Sequence, residues 1–386
     1  MTAATAVGGI LLATITLYAV LGGADFGGGL WDLLAGGDRR GRAPRRLIDE
    51  SITPVWEANH VWLVFALVVF WTAFPHAFAA VMTTCALPLW LALLGIVLRG
   101  AGFAFRKEVS QPGLQRALGA TFAFSSLLTP FFMGTVIGAI ATGQILASAS
   151  HASLPAWTST TSLLTGLVFV GACGYLAAVY LVGEAARRGH HRLQRYFTRR
   201  AQAAAIVTGA LSLATLAELH TSNPALFSRL TGRALPLVII AGVCGLAVLA
   251  LLTASRPRGI RILAALGVAA VIWGWGVAQY PVLLLGTAVT LSNAGAPDAT
   301  FVAIVWLFGV VVLVIGPSFA LLFWLQSRRL LQAGHGETLA AGPASGTQPP
   351  AVPPRQDPPE SHLGVTRAAV LAFAVIVAFI RRRRDR

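Results

Sequence analysis

Charge is what this chain has least of. Only 11% of its 386 residues are Asp, Glu, Lys or Arg, and 56% are hydrophobic, whereas soluble proteins carry roughly 25% charged residues. With a mass of 40.4 kDa and a mean hydropathy of +0.73, so few charges cannot clothe a soluble globule. An assembly of soluble domains is excluded, and lipid is the solvent the composition calls for. Cysteine is scarce too. Cys85, Cys173 and Cys244 each sit in a long apolar run without a Cys-x-x-Cys pair, which argues against a disulfide framework and a cysteine-ligated metal. The first apolar run lacks the basic flank and small-residue cleavage site of a signal peptide, so it is expected to stay in the mature protein.

What is present is apolar length. A membrane-crossing helix needs about 20 such residues, and runs of that size lie near 7–34, 54–74, 78–98, 118–146, 158–182, 201–219, 235–252, 260–280 and 301–325. The expected fold is all-α and polytopic. About nine transmembrane helices would form two four-helix-bundle-like halves plus one peripheral helix. Glu184 near the inner end of the fifth run loosely echoes Asp25 in the first, a faint sign of repetition.

Basic residues outnumber acidic ones by 29 to 14, and their positions explain the excess. Arg39, Arg40, Arg42, Arg45 and Arg46 occupy the first connection, and Arg99, Arg106, Lys107 and Arg116 the third. Six arginines between Arg187 and Arg200 fill the fifth, and Arg256, Arg258 and Arg261 the seventh. Among the even connections only the sixth is basic, with Arg229 and Arg233. The alternation places the N-terminus outside by the positive-inside bias. It also leaves no extramembrane domain to hold nucleic acid.

The membrane domain is expected to span 1–330. A Pro- and Gly-rich linker, too polar and too rich in Pro to order itself, follows over 331–364. The last segment, 365–386, is short, apolar and ends in Arg381, Arg382, Arg383 and Arg384. It is read as interfacial or as an extra span.

Polar groups inside apolar runs mark function, because a charge at the bilayer centre costs about 2.5–3.5 kcal/mol on insertion scales. Asp25 sits in a run containing Gly22, Gly23, Gly27, Gly28 and Gly29. Gly23 and Gly27 have the spacing that lets helices approach closely. Asp25 is either a structural carboxylate or a proton-handling group. A second cluster, Thr53-Pro-Val-Trp-Glu-Ala-Asn-His-Val-Trp62, reads as a helix start at Pro54. Glu57 and His60 share one helical face, and an acid beside an imidazole can pass protons. Trp56 and Trp62 are interfacial anchors or flank the same site. Arg99 and Arg106 are either headgroup anchors or guanidinium partners for carboxylates or propionates at a subunit face. His60, His76, His220, Met82 and Met133 are the available haem ligands, but no span offers a pair of histidines. No metal or cofactor site is expected on this chain.

These blocks together resemble subunit II of the cytochrome bd-type quinol:oxygen oxidases. The resemblance rests on Gly23-Ala-Asp25-Phe-Gly27, Pro54-Val-Trp56-Glu57-Ala-Asn59-His60-Val-Trp62 and Arg99-x-x-Gly102-Phe103-x-x-Arg106. Gln279-Tyr280-Pro281, Thr290-Leu291 and Ala296-Pro297-x-Ala299-Thr300 extend it to about residue 325. It implies nine transmembrane helices in a bacterial inner-membrane heterodimer of the aerobic respiratory chain. The partner, subunit I, carries the b and d haems and the quinol site. This chain would stabilise it and shape proton and oxygen access to haem d. Asp25, Glu57 and His60 become proton-path candidates. Trp56, Asn59, Trp62, Arg99 and Arg106 become subunit-boundary or oxygen-path candidates. A structural quinone or lipid and small accessory subunits are compatible with it. A proton-coupled transporter and a purely structural assembly subunit are the rival readings.

Overall fold

The computed structural model describes residues 2–106, 109, 111–145, 151–293 and 295–327. The expected linker and C-terminal segment lie outside the described residues. The chain divides into two units, 1–317 and 318–386, and only residues 318–327 of the second are described.

Twelve helices account for most of the described chain. They are α1 (Ala3–Leu33), α2 (Asp38–Ala73), α3 (Pro75–Thr84), α4 (Ala86–Arg106), α5 (Pro112–Thr142), α6 (Leu154–Thr158), α7 (Thr160–Arg187), α8 (His191–Ser222), α9 (Pro224–Thr231), α10 (Leu235–Thr253), α11 (Ile260–Gln279) and α12 (Asp298–Ser327). No strand forms among the described residues, which include one isolated bridge, Val282 to Thr290. Proline opens α3, α5 and α9, where its missing N–H costs nothing.

Seven of these helices are long and apolar enough to cross a membrane, or eight if a bent pair counts as one span. The expected figure of about nine is therefore approximate, and the discrepancy lies in the second and third runs. The apolar part of α2 is only Asn59–Ala73, and the chain turns by 117° into α3; the apolar stretch of α4, Ala86–Gly102, is also short.

The helix start expected at Pro54 is not there. α2 begins at Asp38 and runs through Pro54. Leu47 and Ile48 explain this: both are buried in a core shared with Val179 and Val182 of α7. Packing extends the helix toward the N-terminus and outweighs a local stop signal.

Helix pairing follows two bundles. α1 packs on α2 and α4 on α5, while α7 packs on α8 and α10 on α11; α1, α5 and α7 join the two sets. At the α1–α7 crossing a methyl on Gly27 would collide with the carbonyl of Cys173, so only glycine permits this approach. α12 lies at the margin. Phe301 and Phe308 reach Phe74 and Phe65 at 5.8 and 5.7 Å, while Trp306 and Leu313 are about three-quarters exposed.

Three of the basic connections meet at one end. Arg45 Nε donates to Asp32 at 2.9 Å, and Arg188 pairs with both Glu50 of α2 and Glu184 of α7. Arg261, opening α11, reaches Glu184 at 3.4 Å and the Tyr180 carbonyl at 2.7 Å. Residues from the first, fifth and seventh connections are thus joined by ion pairs. The basic residue Arg233 of the sixth has a separate duty: it donates to the carbonyls of Ala278 and Tyr280 at the end of α11.

Glu50 reports on this end. Its hydrogen bond from Arg46 holds the carboxyl below its ordinary value of 4.5; desolvation opposes this, and Arg188 reinforces it. A depressed carboxylate stabilises the fold fully above its unfolded pKa, and the contribution fades as pH falls through the folded one. The thermal destabilisation caused by Glu50→Gln should therefore be larger above pH 4.5 than well below it. Both effects should be small, because the pair is exposed. Equal destabilisation at both pH values would mean the charge contributes nothing.

Candidate functional site

The glycine run of α1 exists to bury a charge. Asp25 and Arg99 are each 1% exposed, and Arg99 Nη2 lies 2.5 Å from Asp25 Oδ1. The same nitrogen donates to the Asp25 carbonyl at 2.9 Å. Arg99 Nη1 donates to Ser126 Oγ of α5, and that hydroxyl passes its own proton to the Phe122 carbonyl at 2.6 Å. Phe26 and Phe122 face the guanidinium carbon at 5.0 and 4.4 Å, so the cation also rests against two aromatic rings. The site joins α1, α4 and α5. Any side chain at Gly29 would strike Ser126, which is why this turn of α1 carries no Cβ.

The pair is not fully satisfied. Asp25 Oδ2 and Arg99 Nε have no hydrogen-bond partner among the described residues. The Asn59 carboxamide is completely buried and likewise lacks partners for both its atoms. It lies against Gly22, one helical turn before Asp25 on α1. His60, half-buried, is close enough to Asp25 for the two to interact electrostatically. The α1–α2 seam therefore gathers a carboxylate, an amide and an imidazole. Buried polar atoms left unpaired cost about 1–3 kcal/mol each, so their concentration here sets this seam apart from ordinary packing.

Glu57 and Trp56 lie on α2, but their side chains are outside the described residues, as is that of Arg106. Trp62 is half-buried on α2. Arg99 is turned inward, and its carboxylate is Asp25 of the same chain rather than one at a subunit face; a guanidinium in an apolar bundle goes where an anion can neutralise it. Ser126 and Phe122 are not marked by the sequence beyond the Ser125-Ser126 pair inside an apolar run. Glu184, in sequence a faint echo of Asp25, anchors three arginines, Arg187, Arg188 and Arg261.

Among the described residues no three of His, Cys, Asp and Glu gather as metal ligands. His220 packs edge-on against Phe227 at 4.8 Å, Met133 sulfur accepts from Tyr18 at 3.7 Å, and His76 is exposed.

Breaking a buried ion pair from one side strands the other charge, at a cost of about 3–5 kcal/mol. Asp25→Asn and Arg99→Gln should each lower the thermal unfolding temperature of the purified protein markedly. The double variant Asp25→Leu/Arg99→Met should be more stable than either single variant. Additive losses would show that the two residues act independently.

Residues 3–326 match the family model described as "Cytochrome bd terminal oxidase subunit II". The "Cytochrome bd ubiquinol oxidase subunit 2" of Bacillus subtilis (strain 168) is 24% identical over 235 residues, 59% of this chain and 66% of that protein. The "Cytochrome bd-I ubiquinol oxidase subunit 2" of Escherichia coli (strain K12) is 26% identical over 197 residues, half of each chain. The matched stretch thus spans between half and two thirds of the length of these relatives. Among solved structures, a chain of the bd oxidase from Geobacillus thermodenitrificans superposes with a TM-score of 0.69 at 21% identity, covering 86% of this chain and 99% of that one. The nearly complete overlap of the two folds accords with the helical bundle described above. With most of its length matched, the chain belongs to the cytochrome bd terminal oxidase subunit II family.

Proposed function

We propose that the chain is the non-haem subunit of a quinol:oxygen oxidoreductase of the bacterial inner membrane, with its N-terminus outside. Its partner would be a subunit I that carries the b and d haems and oxidises quinol. The chain would stabilise that subunit and shape the routes by which protons and oxygen reach it. Family membership supports the assignment to the complex. The observation that carries the proton role is the seam between α1 and α2, where one Asp25 oxygen and the Asn59 carboxamide have no hydrogen-bond partner among the described residues.

Chemistry gives the acids a direction. Reducing dioxygen to water consumes protons, and drawing them from the cytoplasm builds a gradient. Glu57 and His60 are proposed as the groups that carry protons along α2. Asp25 serves differently from a free acid, because Arg99 clamps one of its oxygens. It is proposed as the fixed negative charge that favours a proton arriving in the seam. Trp56, Trp62 and Arg106 are proposed at the subunit boundary or beside an apolar oxygen path, with Asn59 lining the seam. A structural quinone or lipid and accessory subunits are compatible with this assignment. A transporter is not favoured, since family membership points to the oxidase and the repeat is faint.

Glu57→Gln should slow oxygen consumption by the purified complex while its haem absorbance stays intact. That outcome distinguishes proton delivery from assembly, because a scaffold would tolerate neutralisation. Unchanged turnover would remove Glu57 from the route. Recovery of the chain without any pigmented partner would overturn the assignment to an oxidase.

A further inference from the structure

The arginines at the basic end fall into two classes. Arg45, Arg46, Arg187, Arg188 and Arg261 are taken up by Asp32, Glu50 and Glu184. Arg192, Arg195, Arg199, Arg256 and Arg258 are exposed, and none of these five has a carboxylate partner among the described residues. Their placement is ordered. At 100° per residue, Arg192, Arg195 and Arg199 fall within about 60° on the first turns of α8. The opposite face of the same turns is buried: Phe197 and Ala201 pack into the core with Leu252 and Ile260, the residues that bracket Arg256 and Arg258. Gln202 Nε2 donates to Thr253 Oγ1 at 3.3 Å, fastening the α8 stripe to the end of α10. The five cations therefore border a single junction, α8 on one side and the α10–α11 connection on the other.

Below the cations both α8 and α10 expose apolar side chains. The stripe of Arg192 and Arg199 continues at intervals of seven to Ile206 and Leu213, 60% and 69% exposed. On α10, Val243 and Leu246 are 58% and 69% exposed. A surface with unpaired guanidinium groups at one end and apolar side chains running from them fits one kind of ligand. We propose that the junction of α8 with the α10–α11 connection binds an anionic phospholipid. The arginines take the phosphate, and the exposed faces of α8 and α10 take the acyl chains. Charge complementarity carries the choice of occupant. Guanidinium binds phosphate through paired hydrogen bonds, whereas a zwitterionic headgroup would bring its own cation among five others. The inference depends on the chain lying in a bilayer and is independent of any proton route.

The test uses the purified full-length complex in mild detergent, with bound lipid counted by native mass spectrometry. Added dioleoylphosphatidylglycerol should be retained, and dioleoylphosphatidylcholine should not. Each of Arg195→Gln, Arg199→Gln and Arg256→Gln should weaken retention by about fivefold, the effect of removing one arginine from an anionic membrane surface. Arg195→Lys should retain most of the binding. If the glutamine variants fail to fold, salt titration of the unaltered complex serves instead, and phosphatidylglycerol should dissociate as ionic strength rises. Equal retention of both lipids, or retention indifferent to the arginines or to salt, would overturn the proposal. So would an acidic polypeptide held at the junction in place of lipid, or displacement of the lipid by millimolar inorganic phosphate alone.

Discussion

A carboxylate and a guanidinium, both sealed from solvent, set the terms for the middle of this bundle. Either charge alone would be too costly in an apolar interior, and together they persist only with close geometry and further hydrogen bonds. Asp25 and Arg99 meet both conditions. Their contact ties α1 to α4, and Ser126 brings in α5. The glycines of α1 follow from this requirement. Gly29 leaves room for the Ser126–Arg99 contact, and Gly27 allows α7 to close on the opposite face. A run that looks like a flexible hinge in composition is a tightly packed surface on several sides.

The same economy governs the basic end, with the opposite result. Three carboxylates, Asp32, Glu50 and Glu184, collect the arginines that face inward and join connections remote in sequence. Acids are few in this chain, 14 against 29 basic residues. Arginines on the outer faces of α8 and of the α10–α11 connection are left to solvent or to the headgroup layer. Arg233, at the end of α11, shows a third solution: a cation satisfied by backbone carbonyls at a helix C-terminus, where the dipole also favours positive charge.

Much of this was readable from residue order. Alternating arginine-rich connections announced which loops share a side, and Glu50, Arg188 and Arg261 meet as that alternation requires. The isolated Asp25 in a glycine-rich apolar run announced a buried polar site. Its partner was harder to read, because 74 residues separate Asp25 from Arg99 and nothing local in either segment names the other. A rule that every buried anion needs a cation would have narrowed the search to Arg99. The start of α2 was misread for a different reason. Pro54 is a strong local signal, but Leu47 and Ile48 make distant contacts with α7, and tertiary packing overrode the local preference. Span counting is only approximate at the same place, since the apolar parts of α2 and α4 are short and the chain turns by 117° between α2 and α3, and composition does not register direction.

The two oxygens of Asp25 bear on what the site can do. Arg99 sits against Oδ1, and on the proposed reading this contact keeps Asp25 from carrying protons itself in every cycle. Oδ2 is a different matter, because it faces no donor within the described residues. On the facing helix the Asn59 carboxamide, packed against Gly22, offers both a donor and an acceptor, and His60 lies within electrostatic reach. An anion fixed on one side and open on the other imposes polarity on the seam. On the proposed reading, mobile protons belong to Glu57 and His60, and Asp25 sets the potential they move through. A residue of that kind would matter most through its charge, which is also why its loss would be felt first as a defect of the fold.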